Sequence, residues 1–184
     1  MNQDLIILIA AVSLLTGVVM WLLIRRRDPF AREIKRLIKQ TAQASFSNIL
    51  VPDGMGGEIH VEYLLLTQRG LLLLDTRNVS GVVFAGEQLD EWSATQDGHR
   101  ATFQNPIPSL LDRIAAVKSL TPGVPLEAKI VFLDTVEFPK GHPSQVATFS
   151  QLVEEFALPN DSSDANPYET TWQALQEAVI HAGK

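Results

Sequence analysis

The chain has no cysteine among its 184 residues. Disulfide frameworks, thiolate zinc sites and thiol nucleophiles are therefore excluded. The glycine-rich stretch Asp53 to Gly57 lacks the Gly-Lys-Ser/Thr ending of a phosphate loop, and no Gly-x-Ser-x-Gly element occurs. Kinase-like and serine-hydrolase chemistry lose their usual signatures with them. No internal repeat is present. Basic residues are scarce beyond the first quarter of the chain. Arg25 to Lys39 holds seven of the 15, and from Gln40 onward eight stand against 18 acidic residues, a balance of −10. A domain that grips nucleic acid by its phosphates is expected to carry a basic stripe, because counterion release drives that binding.

What is present divides into two parts. Leu5 to Ile24 is an uninterrupted run of 20 residues without a charge, followed by Arg25, Arg26 and Arg27. As a helix it would be about 30 Å long, the thickness of a hydrocarbon core. Only Asp4 precedes it, whereas a cleaved leader would carry its positive charge in front, so the run reads as an uncleaved anchor. The arginine cluster assigns everything after Arg27 to the cytoplasmic side. The basic segment that follows suits an anionic lipid surface.

The remainder, with 46% apolar and 20% charged residues over the whole chain, has a globular composition. Asp28-Pro29 opens an amphipathic helix with Ile34, Leu37 and Ile38 on one face, running to about Thr41. A strand is expected near Asn48 to Val51. His60 to Thr67 and Leu71 to Arg77, separated by Gln68-Arg69-Gly70, predict a β-hairpin. Its leucines occupy both side-chain parities, which places it at the centre of a sheet covered on both faces. Val82 to Phe84 and Ala101 to Phe103 read as outer strands of the same sheet, with Trp92 and Gly98 in the connection between them. Pro108 to Leu120 reads as a helix and Lys129 to Leu133 as a strand. Ser144 to Phe156 and Thr170 to His181 read as two last helices, joined by a polar linker from Asn160 to Pro167. The order indicates an α/β domain with a central mixed sheet flanked by helices.

Within the hairpin the polar residues carry the chemical content. Pairing around Gln68 and Arg69 sets Glu62 opposite Asp75 and His60 opposite Arg77, all four on one face. Two opposed carboxylates repel unless a cation lies between them or one keeps its proton. A hard cation such as Mg²⁺ needs one or two carboxylates plus waters, which Glu62 and Asp75 can supply, and Arg77 would then face the anion that the metal holds. The alternative is a simple ion pair between the diagonal neighbours Glu62 and Arg77 at a strand end, with Asp75 capping a turn.

The stretch from Val61 to Gly81, with Glu62, a Gly70 turn, and Asp75-Thr76-Arg77-Asn78 ahead of Gly81, resembles the signature of the nuclease-related domain (NERD) family. Trp92, Gly98, Phe103 and Asn105-Pro106-Ile107 extend the likeness, which runs from Ile49 to Leu120. The resemblance implies a restriction-endonuclease-like fold of the PD-(D/E)xK nuclease superfamily. It also implies a Mg²⁺ or Mn²⁺ site held by Glu62 and Asp75, joined by Glu33 from the first helix, with Arg77 in the lysine position beside the scissile phosphate. The chain departs from the family pattern at three positions: Glu62 stands for Asp, Asp75 for Glu and Arg77 for Lys. Charge is kept but reach changes, and an arginine cannot deprotonate to act as a base. A weakened or degenerate site follows.

The expectation is therefore a single-pass inner-membrane protein. Residues 1–27 would be the anchor, 28–143 a cytoplasmic NERD-like domain and 144–184 a helical extension packed on it. Its activity would be metal-dependent phosphodiester hydrolysis at Glu62, Asp75 and Arg77. The rival is a catalytically inactive tethered module that binds protein or nucleic acid.

Overall fold

The computed structural model describes residues 12, 13, 16–18, 20, 21, 29–158 and 165–181. Most of the apolar run from Leu5 to Ile24, the three arginines, Asp28, Pro159 and residues 160–164 of the expected linker lie outside them. Among the described residues no helix is long and apolar enough to cross a membrane. The chain forms two compact units, 1–33 and 34–184. In the first, the described residues between Val12 and Trp21 are helical and exposed. Helix α1, Pro29–Thr41, begins in the first unit and continues into the second.

The second unit is built on a six-stranded mixed sheet in the order β10-β1-β2-β3-β7-β9. Strands β1 (Ala44–Pro52), β2 (Glu58–Thr67) and β3 (Gly70–Arg77) form an antiparallel meander at its centre. The hairpin register agrees with the sequence reading from Thr67↔Gly70 through Tyr63↔Leu74. Gly70 is required in the turn. Its φ is +124°, and a Cβ there would lie 2.3 Å from the Pro125 carbonyl oxygen, which instead accepts the Leu71 N–H. Leu64, Leu66, Leu71 and Leu73 face one core, which also holds Ile107, Leu110 and Val117 of helix α2 (Ile107–Leu120) and Trp172 and Leu175 of helix α4 (Glu169–Ala178). Leu65, Leu72 and Leu74, of opposite parity, are also fully buried, so the hairpin is covered on both faces. Strand β7 (Leu126–Phe132) pairs in parallel with β3 over its whole length.

The expected outer strands do not join this sheet. With β2 on one edge of β3 and β7 on the other, no edge remains for the chain that follows Arg77. At Gly81 the φ is +86°, and the backbone approaches the Thr95 carbonyl so closely that an added Cβ would lie 2.3 Å from it. From there β4 (Gly81–Phe84), β5 (Glu91–Gln96), β6 (His99–Gln104) and β8 (Val136–Glu137) make a separate four-stranded sheet in the order β6-β5-β4-β8. Trp92 lies on β5 rather than in a connection, and Asp97 and Gly98, both at positive φ, form the two-residue β5–β6 turn.

The C-terminal segment is not purely helical either. Val146–Thr148 is strand β9, paired with β7, ahead of helix α3 (Phe149–Phe156), and Ile180–His181 is strand β10, paired with β1. This segment therefore supplies both edges of the central sheet. Trp172 of α4 stacks on Phe46 of β1 at 4.3 Å between ring centroids.

Candidate functional site

The centre of interest is a fork. Pairing of β2 with β3 stops at Tyr63↔Leu74, while β2 stays with β1 back to Glu58 and β3 stays with β7 out to Arg77. Glu62 and Asp75 thus flank the opening but are not ladder partners as the uninterrupted register predicts, and neither are His60 and Arg77. Where the ladder fails, the Glu62 carboxylate takes over. Its Oε2 accepts the Thr76 N–H at 2.7 Å and its Oε1 accepts the Thr76 hydroxyl at 2.6 Å. A strand N–H that would otherwise go unpaired is satisfied by a side chain.

Asp75 is 4% exposed and is held by two arginines. Arg77 grips it with both ends of the guanidinium, Nη1 to Oδ1 at 2.6 Å and Nη2 to Oδ2 at 2.9 Å. Arg113 of α2 donates to the same Oδ2 at 3.1 Å. Arg77 Nη1 is further fixed by the Thr76 carbonyl at 2.9 Å, and Arg113 Nε by the His60 carbonyl at 2.8 Å. Two guanidinium groups therefore match two acids, and Arg113 ties α2 to β2 and β3 across the fork. Bidentate pairs of this geometry are the stronger class of ion pair.

His60 contributes its carbonyl rather than its ring, and the side chain is exposed. Glu33 is half-buried on α1 and is the last residue of the first compact unit. Among the described residues no group of three or more His, Asp or Glu is arranged to hold a metal ion. Tyr63, next to the fork, has its phenol pushed above the ordinary value of 10.0, first by burial and second by the negative charge of Glu62.

Arg113 and Thr76 are the site residues that the sequence reading missed. Arg113 had a readable signal. It stands three residues after Leu110, one before Ile114 and four before Val117, so it is a cation on the apolar side of its helix. A charge in that place needs a partner from the sheet. Asn105 serves the scaffold. Its Oδ1 accepts the Ile107 N–H at 2.9 Å at the start of α2, and its Nδ2 donates to the Leu89 carbonyl at 2.8 Å and the Glu87 carbonyl at 3.1 Å. Trp92 is fully buried, with Nε1 donating to the Gly86 carbonyl, so it packs the core.

The family model for a nuclease-related domain (NERD) matches residues 27–133, more than half of the chain. No curated protein and no solved structure matches.

Proposed function

The chain belongs to the nuclease-related domain family, and from that premise we propose that it is a membrane-tethered module which keeps the nuclease-like scaffold without metal-dependent hydrolysis. The observation that carries this reading is the clamp on Asp75, whose two oxygens are both held by arginine. In a metal-dependent nuclease the matching acid must present its oxygens to a doubly charged ion. Here that ion would have to share the carboxylate with two permanent cations, or displace them from a nearly buried position. Glu62 is likewise engaged through both oxygens by Thr76. A divalent metal suits these residues poorly.

We read the six-stranded sheet as a restriction-endonuclease-like core. Supporting this is the succession of helix, antiparallel meander, helix and parallel strand in α1, β1–β3, α2 and β7. Tethering rests on the uncharged run from Leu5 to Ile24 and the arginines behind it. The balance of −10 from Gln40 onward favours a protein partner over a nucleic-acid backbone. The hydrolytic alternative, with Mg²⁺ or Mn²⁺ on Glu33, Glu62 and Asp75, requires Asp75 to release both guanidinium groups. A nuclease assay on single-stranded DNA, duplex DNA and RNA separates the two. The native chain and its Asp75→Ala variant should be equally inactive, whereas cleavage that disappears in the variant would establish hydrolysis. Extraction of cell membranes at high pH tests the tether: the chain should stay with the lipid, and release into the wash would count against it.

A further inference from the structure

The four-stranded sheet has a core side, with Val83, Trp92 and Ala94, and an outer side on which the residues of opposite parity form two cross-strand rows. One row is Phe84, Ser93 and Thr102, and the next places Thr95 beside Arg100. This outer side is not flat. Leu89 and Lys140, from the loops after β4 and β8, rise beside it and leave a groove of about 540 Å³. That is the size range of small-molecule sites.

Three features give the groove its chemical character. Ser93 is only 7% exposed, yet its hydroxyl has no hydrogen-bond partner among the described residues. It is not a sealed, unsatisfied group, of which there are none among the described residues, so its oxygen is reached from the groove. Arg100 makes no ion pair among the described residues. Lys140 has no acid partner there either and lies over the Phe84 ring at 5.5 Å. In a domain with an excess of ten acids, two cations left facing a hydroxyl-lined hollow form a local inversion of charge.

We propose that this groove binds a small phosphate ester. Arg100 and Lys140 supply the cationic donors for the phosphate, and the Ser93, Thr95 and Thr102 hydroxyls supply neutral donors on the floor. Glu91 also lines the groove, four residues along β5 from Thr95 of the Arg100 row, roughly 13 Å at strand rise, and two residues from Ser93 of the row beneath Lys140, roughly 7 Å. A carboxylate at that end repels a second anionic group and accepts hydrogen bonds from hydroxyls. The groove therefore selects a ligand with one phosphate at one end and a hydroxylated body, and it rejects a polyanion.

Calorimetric titration of the full chain with methyl phosphate and with glycerol phosphate tests this. Both should bind saturably, glycerol phosphate the more tightly. Arg100→Ala should weaken both by about tenfold or more, the worth of one charge-assisted hydrogen bond. Glu91→Gln should bring glycerol phosphate to the affinity of methyl phosphate. Arg100 and Glu91 are exposed, so these variants should fold normally, which thermal unfolding checks, and Ser93→Ala provides a third, neutral probe. No saturable binding of either ester, or binding unchanged in Arg100→Ala, overturns the assignment.

Discussion

Replacing Asp75 with Asn distinguishes an ion-paired centre from a metal site by the sign of its effect on stability. In a metal site without its metal, clustered carboxylates repel, so neutralising one leaves stability unchanged or raises it. In an ion-paired centre the same change leaves guanidinium groups without their counter-charge. Removing one partner of a buried pair costs about 3–5 kcal/mol. The Arg77 and Arg113 side chains are 28% and 20% exposed, so water recovers part of that. About 2–3 kcal/mol is then expected, or a fall in Tm of about 4–12 °C for a folded unit of this size. The assay is thermal unfolding of the full chain in mild detergent with a chelator present. Combining Asp75→Asn with Arg77→Met should recover part of the loss, since the double variant removes both charges of the strongest pair. An Asp75→Asn chain as stable as the native one, or more stable, in chelator would refute the reasoning.

Two further outcomes follow from the same structure. Asp134 accepts the Ser150 N–H at 2.9 Å and the Ser150 hydroxyl at 2.7 Å in the first turn of α3. Burial raises its pKa, but the bonds from Ser150 and Thr148 outweigh it and hold the carboxyl below the ordinary 3.8. A depressed carboxylate stabilises the fold above its unfolded pKa and loses that contribution as pH falls through the folded value. Asp134→Ala should therefore cost about 1 kcal/mol at neutral pH, and urea titrations should show the gap from the native chain closing below about pH 3.8. A gap independent of pH would contradict a stabilising role for the Asp134 carboxylate. Separately, a chain ending at residue 143 should fail to fold cooperatively, because it loses β9, β10 and the Trp172 stack on Phe46. A sharp unfolding transition in that fragment would show the extension to be dispensable.

The parts of the fold that the sequence made legible are those specified locally. Leucines on both parities set the central place of the hairpin, since both its faces must be covered, and the short Gln68-Arg69-Gly70 connection sets its register. The acids of the fork were legible as a pair. Of their partners Arg77 was legible as an ion-pair candidate, whereas Arg113 could be read only as a cation in need of a partner, since it reaches Asp75 across 38 residues and only tertiary packing brings it there. The second sheet was missed because membership depends on which edges of β3 are taken, a fact decided by β7 much later in the chain. The Asp97-Gly98 pair, which turns β5 into β6, is a local hairpin signal in the sequence. Strands β9 and β10 span three and two residues, too short for any periodicity to show.

The most direct measurement on the Asp75 clamp is a titration of the full chain with Mn²⁺, followed by the paramagnetic signal of the free ion. With Asp75 held by Arg77 and Arg113, the ion should stay free through the millimolar range, in the native chain and in Glu62→Gln, Asp75→Asn alike. One saturable site in the native chain that vanishes in the double variant would mean that the carboxylates leave the arginines for a metal.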